Sequence, residues 1–364
     1  MNTNERWWTV VPNSVRFIDD IAAVLKGGSS VIYSISENCE WKDTLRDIIK
    51  AKIFSGVDKT HEISGRSIGD RTPGEYLMES FVKKELRSKY RTSIGYEKFL
   101  TDKEDETSLL HSFIYLVDLS DEQTHDWVTF IENYNKLHKS KIEKCRFIIE
   151  TKTNLKSKYS GIRLFKRGDY LHNYDITILC MMTISSNKIH NIFRNYATEL
   201  ATLCSNNDPE FAAELITSSD MLIKDTNSLI NNIISNSIRS NMESFTFTDD
   251  LDRKIWEAQL KVFFPLIERF RLYLIEKYKY NIHLDSSVTN LKGEEIRSEY
   301  DIELATLKWL CNNNDLYMNS GDYNDLIFFK ECRNNLAHLK YLPYVLLATQ
   351  NPKNAKMRNN SELA

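Results

Sequence analysis

The spacing of apolar positions changes part-way along the chain. Before about residue 168, short apolar runs alternate with helix-spaced segments. "SSVIYSIS" (29–36) predicts a buried strand, and "WKDTLRDIIKAKIFSG" (41–56) predicts a helix closed by Gly56. "GEYLMESFVKKELRSKY" predicts a second helix. "HSFIYLVDLS" (111–120) is the clearest strand, apolar from Phe113 to Val117 and ending in Asp118. "DEQTHDWVTFIENYNKLHKS" then reads as a helix with Asp121 and Glu122 in its first turn, and "CRFIIETK" and "GIRLFKRG" read as two more strands. Strands separated by helices need crossover connections, so the sheet is expected to be parallel.

From about residue 168 the pattern is helical. "SNMESFTFTDD" (240–250) is polar and unpatterned and marks a domain boundary. Beyond it "DLDRKIWEAQLKVFFPLIERFRLYLIEKYKY" predicts a long helix with Ile255, Val262, Leu266, Phe270 and Leu274 on one face and a kink at Pro265. A polar loop (281–294) precedes two further helices. The layout expected is an α/β domain over 1–200 with a parallel sheet and crossover helices, a helical connector over 201–245, an all-α bundle over 246–350 and a disordered tail over 351–364.

Composition sharpens this. Only 11 glycines and 6 prolines in 364 residues disfavour a sandwich or propeller, and 41% hydrophobic residues supply a core. The formal net charge of −3 removes a uniformly basic nucleic-acid-binding surface. The runs "FVKKELRSKYR" and "KLHKSKIEKCR" read as solvated helix faces. Six scattered cysteines without a CxxC pair fit reduced thiols in a cytoplasmic protein. The start lacks a signal-peptide pattern, and "ITILCMMTI" is too short to span a bilayer, so no membrane association is expected.

Strand, turn, helix and a later strand ending in Asp is the layout of a P-loop nucleotide-binding domain, but the chemistry is missing. The turn after "VIYSIS" is "ENCEWKDT", with no glycine to let backbone N–H groups reach a phosphate and two glutamates to repel one. Lys42 and Thr44 stand one residue out of register with a Lys-Ser/Thr pair, and Asp118 reads as a helix cap or turn residue. The first half therefore resembles a P-loop fold that has lost hydrolysis, or is an unrelated α/β domain of similar layout. No cofactor and no metal set is expected; the histidines show no metal-ligand grouping.

One stretch, "FFKECRNNLAHLKYLP" (328–343), reads either as packing and capping, with a backbone-bonded His338 and a solvent-facing Arg333, or as an active site. At ~100° per residue, Asn334 and His338 lie ~40° apart on a helix face. Arg333 lies off that face, but its long side chain can swing beside them. Leu326, Cys332, Leu336 and Leu339 are free to face a core or an interface. Imidazole moves protons near neutrality, guanidinium offers a planar fork to phosphate, and an amide orients either. That trio suits cleavage of RNA, whose own 2′-hydroxyl supplies the nucleophile.

With Arg333, Asn334 and His338 on the last long helix, residues 245–350 resemble the HEPN superfamily, helical bundles carrying an Arg-x4–6-His motif. The resemblance implies a metal-independent endoribonuclease leaving 2′,3′-cyclic phosphate and 5′-hydroxyl ends. It implies a homodimer with a composite site, acting as toxin or effector in bacterial antiphage or stress systems beside a sensor or another protein of the same system. Some members are non-catalytic binding modules. A carboxylate on the preceding long helix often supports the site, and Glu257 and Glu268 are the candidates for that role.

Overall fold

The structure, a computed structural model, describes residues 1–35, 41–54, 59–138, 144–153, 155, 158–184, 191–236, 250–282, 296 and 298–349. Nearly all of the segments 240–250 and 281–294, the tail, and 37–40 of the turn after the first strand lie outside them. The chain divides into two compact units, Met1–Leu179 and Cys180–Ala364.

The first unit is built on a five-stranded, all-parallel sheet of order β2-β3-β4-β1-β5. Its strands are β1 (Ser30–Ser34), β2 (Lys59–Ser64), β3 (Ser112–Val117), β4 (Arg146–Thr151) and β5 (Ile162–Lys166). Helix α1 (Pro12–Lys26) precedes β1, α2 (Lys42–Ile53) connects β1 to β2, and α3 (Asp121–Leu137) connects β3 to β4. β3 and β4 are buried along their whole length, which is why both read as apolar runs: layers on both faces leave no solvent side. Ile32, Ile114, Leu116, Trp127, Ile131, Phe147 and Ile149 form the core between sheet and helices.

The sequence pattern does not foretell β2. "KTHEIS" lies at the sheet edge, mostly exposed or half-exposed, so it needs no apolar run. Its parallel register on β3, from Lys59 opposite Ser112 to Ser64 opposite Val117, supplies the backbone partners. Immediately after it, a Cβ on Gly65 would stand 2.4 Å from the Asp118 carbonyl oxygen, so glycine lets the end of β2 close on the end of β3.

The second unit is helical among the described residues. α4 (Asn191–Cys204), α5 (Leu251–Tyr278), α6 (Leu304–Asn312) and α7 (Ser320–Ala337) frame the motif. α5 runs continuously through Pro265. Its buried stripe is Gln259, Phe263, Ile267, Phe270 and Leu274; Ile255, Val262 and Leu266 of the expected face are only half-buried. Steps of four drift ~40° each around a helix, so a face must also step by three to stay on one side. Phe270 stacks on Phe329 of α7 at 4.2 Å, joining the two helices. Where α7 begins, buried Asp322 accepts from Tyr278 Oη (2.7 Å), Lys277 Nζ (2.6 Å) and Asn319 Nδ2 (2.8 Å), and Asn319 caps the helix. The ammonium of Lys277 is held charged by the Asp322 and Tyr273 hydrogen bonds, so its pKa rises.

Candidate functional site

The motif residues sit where α7 ends. Ala337 is the last helical residue, and His338 is the cap, with φ −102° and ψ 24°. Its backbone N–H donates to the carbonyls of Asn334 and Asn335 at 3.1 Å, and Lys340 N–H donates to Asn335 O at 2.9 Å across Leu339, which has φ +59°. This is a left-handed helix stop made without glycine. The helical face expected for Asn334 and His338 therefore ends at its second member: Asn334 is inside the helix and His338 on the turn that closes it.

Two side chains of α5 pin this turn. Trp256 Nε1 donates to Leu336 O at 2.7 Å. The amide of Gln259, itself buried, donates to Leu342 O at 2.9 Å, accepts from Leu342 N–H, and donates to Tyr196 Oη of α4 at 3.2 Å. Trp256 satisfies a carbonyl that a helix end otherwise leaves open, and Gln259 fixes the chain that follows the turn. Beneath the motif Leu326, Cys332 and Leu336 are buried. Leu339 does not join them: its left-handed backbone turns it outward, and it is 72% exposed. Burial pushes the Cys332 thiol up to about 12, with Glu331 adding to the rise, so the cysteine beside Arg333 is no thiolate nucleophile.

Above that base, His338 is exposed while Arg333 and Asn334 are half-buried. Ile327, Glu331 and Asn334 follow one another at helical spacing along the outer side of α7, and His338 follows on the turn. Among the described residues, neither the Asn334 amide nor the His338 imidazole has a side-chain hydrogen-bond partner. Arg333 has one: its Nη2 reaches Glu303 Oε1 at 3.0 Å. Glu303 occupies the cap position of α6 and leaves its Oε2 buried without a partner.

The supporting carboxylates named from the sequence have other partners. Glu257 pairs with Lys261 at 3.2 Å on its own helix, and Glu268 with Arg271 Nε at 2.8 Å. Arg271 in turn donates through Nη1 to the carbonyls of Tyr300 (2.8 Å) and Ile302 (3.0 Å), the turn that presents Glu303. Glu268 thus bears on Arg333 only through Arg271 and that turn. Glu303 itself was not legible: it is 30 residues from Arg333, with no spacing signal linking them.

The carboxyl ends of β1, β3 and β4 gather a second polar group. Asp118 has φ +50° and is no helix cap; Ser120 caps α3 in a capping box with Gln123. Asp118 Oδ1 lies 3.6 Å from Lys42 Nζ and 3.7 Å from Arg46 Nη2. Arg46 holds buried Glu150 with both Nε (2.8 Å) and Nη2, and Tyr33 Oη donates to the same carboxylate at 2.7 Å and contacts Tyr115 Oη. Glu150 thus keeps the guanidinium charged, and burial pushes both tyrosines well above their ordinary range.

Among the described residues no three His, Cys, Asp or Glu side chains converge as a metal-binding set, and no helix is long and apolar enough to cross a membrane. The chain matches no protein-family model and no curated protein.

Proposed function

We propose that the chain is a metal-independent endoribonuclease of HEPN type, working as a homodimer and serving as toxin or effector in a bacterial antiphage or stress-response system. The observation that carries this reading is the setting of Arg333, Asn334 and His338. They stand at a pinned helix end, outside the bundle core, with the imidazole open to solvent. His338 moves a proton to or from the RNA 2′-hydroxyl or the leaving oxygen. Arg333 binds the scissile phosphate, and Asn334 orients the imidazole or the substrate. A second copy packed on the outer stripe of α7 brings a second imidazole and guanidinium to the same phosphate.

The test is incubation of the full chain with total RNA in EDTA, beside His338→Ala. Cleavage to 2′,3′-cyclic phosphate and 5′-hydroxyl ends by the wild type alone is expected. Cleavage that disappears with EDTA and returns with magnesium refutes it. A second reading, a non-catalytic interaction module with a dimerising helical domain, draws on the Arg333–Glu303 pair, which already occupies the guanidinium. Absence of any RNA cleavage together with a stable dimer is its signature.

A further inference from the structure

In the first unit, far from the motif in sequence, a cavity of about 370 Å³ opens at β5, one of the two edge strands of the sheet. Its size is that of a small-ligand site. Arg163 and Lys166 of β5 line it, with Arg16 of α1. These three cations face one lining carboxylate, Asp169. Neither Arg163 nor Lys166 makes an ion pair among the described residues, and Arg16 has only a 3.9 Å approach to Asp20. In a chain of net charge −3, Arg163 and Lys166, two cations of one strand without an ion pair among the described residues, favour an anionic guest.

The remaining walls are aromatic and held in place. Tyr170 donates to Asp20 Oδ2 at 2.8 Å and sets its ring edge-on to Phe17 at 5.3 Å. Burial, then the Asp20 hydrogen bond, raises its pKa, so it stays a neutral phenol. Tyr174 receives a hydrogen bond from Asn13 Nδ2 at 2.5 Å, and its ring is 5.4 Å from that of His172. Asn13 also donates to Asp175 Oδ2 at 3.2 Å, and the same oxygen accepts from His172 N–H, so a buried carboxylate braces this wall. Tyr174 is nevertheless 54% exposed. A braced aromatic ring open to solvent, beside Lys166 and an Arg163 guanidinium held only over the Phe165 ring at 5.4 Å, matches a planar base joined to a phosphate. The first turn of α1, which has no side-chain cap, adds partial positive charge at Asn13.

We infer that this cavity binds a nucleoside phosphate, with Arg163, Lys166 and Arg16 on the phosphate and Tyr174 and His172 against the base. The source is either a free nucleotide or the 5′-phosphorylated terminal nucleotide of an RNA. The site is independent of the ribonuclease reading. Calorimetric titrations of the full-length His338→Ala chain, with the oligomers checked for integrity afterwards, test it at low salt. The probes are adenosine 5′-monophosphate, adenosine, pyrophosphate, and oligoadenylate with a 5′-phosphate or a 5′-hydroxyl.

The monophosphate, the 5′-phosphorylated oligomer or both should bind more tightly than adenosine, pyrophosphate and the 5′-hydroxyl oligomer; which of them binds identifies the source. Arg163→Ala/Lys166→Ala should weaken that binding by roughly ten- to a hundred-fold, and Tyr174→Ala should weaken it in a fold that still melts as the parent does. Three outcomes overturn the inference: no phosphorylated probe binds; adenosine or pyrophosphate binds as tightly; or binding is unchanged in the double variant.

Discussion

Replacing Arg46 by leucine is the sharpest test of how the first unit is held together. Arg46 is 6% exposed and Glu150 2% exposed, and two guanidinium nitrogens meet the carboxylate. The other acids near Arg46, Asp43 at 3.2 Å and Asp118 at 3.7 Å, are mostly solvated and add little. Arg46→Leu leaves Glu150 buried with only the Tyr33 hydroxyl, and stranding one member of a buried pair costs about 3–5 kcal/mol. Glu150→Leu costs less, because Arg46 keeps Asp43 and Asp118 at its solvent side. The double variant removes both charges and leaves Tyr33 and Tyr115 bonded to each other, so it should return to within about 2 kcal/mol of the parent. Urea unfolding of the full chain, with the transitions of the two units separated by calorimetry, measures the cycle. For a unit of this size the single variant should melt roughly 10 °C lower. A loss below about 1 kcal/mol for Arg46→Leu, or a double variant no better than the sum of the singles, refutes the reasoning.

Other expectations follow from the same geometry. Arg333→Ala and His338→Ala should each lower RNA cleavage by about a hundred-fold or more without changing the melting temperature or the dimer; if His338 serves a composite site, mixing wild-type with His338→Ala chains lowers activity faster than the wild-type fraction falls, whereas strictly proportional loss means each chain carries a whole site. With no glycine in the turn after β1, the chain should show no measurable ATP hydrolysis and Lys42→Ala should leave RNA cleavage unchanged; an ATPase rate lost on that substitution contradicts this. His61 is held below its ordinary pKa by burial and then by Lys59, so the folded state prefers the neutral ring. Its contribution is therefore neutral above the unfolded value and turns destabilising as pH falls below ~6.5, and His61→Phe should flatten the acid side of a stability-against-pH curve measured between pH 7 and 5.

The legible part of the fold was the part whose burial leaves a one-dimensional trace. β1, β3 and β4 are covered on both faces, so their residues are apolar in unbroken runs. β2 is an edge strand with only Ile63 buried, and "KTHEIS" carries no such trace, whereas edge strand β5 keeps Ile162, Leu164 and Phe165 close together in sequence. The same limit applies at the motif. Cys332 and Leu336 follow the helical repeat into the core, but Leu339 lies past the stop at His338, where periodicity no longer applies. The Arg46–Glu150 pair was invisible because it joins α2 to β4 across 104 residues, and Glu150 sits inside a run that reads simply as strand.

The partner of Arg333 is the finding that bears most on mechanism. A guanidinium that binds a scissile phosphate must be free of its carboxylate at that moment. Here the two side chains are about a third exposed, 30% for Arg333 and 41% for Glu303, and joined by a single contact. Such pairs are worth ~0–1 kcal/mol, so giving up the carboxylate costs the guanidinium little. Should RNA be the substrate, its phosphate displaces Glu303 from the guanidinium at little cost. The pair is thus compatible with a catalytic Arg333, and the burden falls on His338. An exposed imidazole on a helix stop braced by Trp256 and Gln259 has little structural work to lose, so loss of RNA cleavage with unchanged folding on His338→Ala separates chemistry from scaffolding.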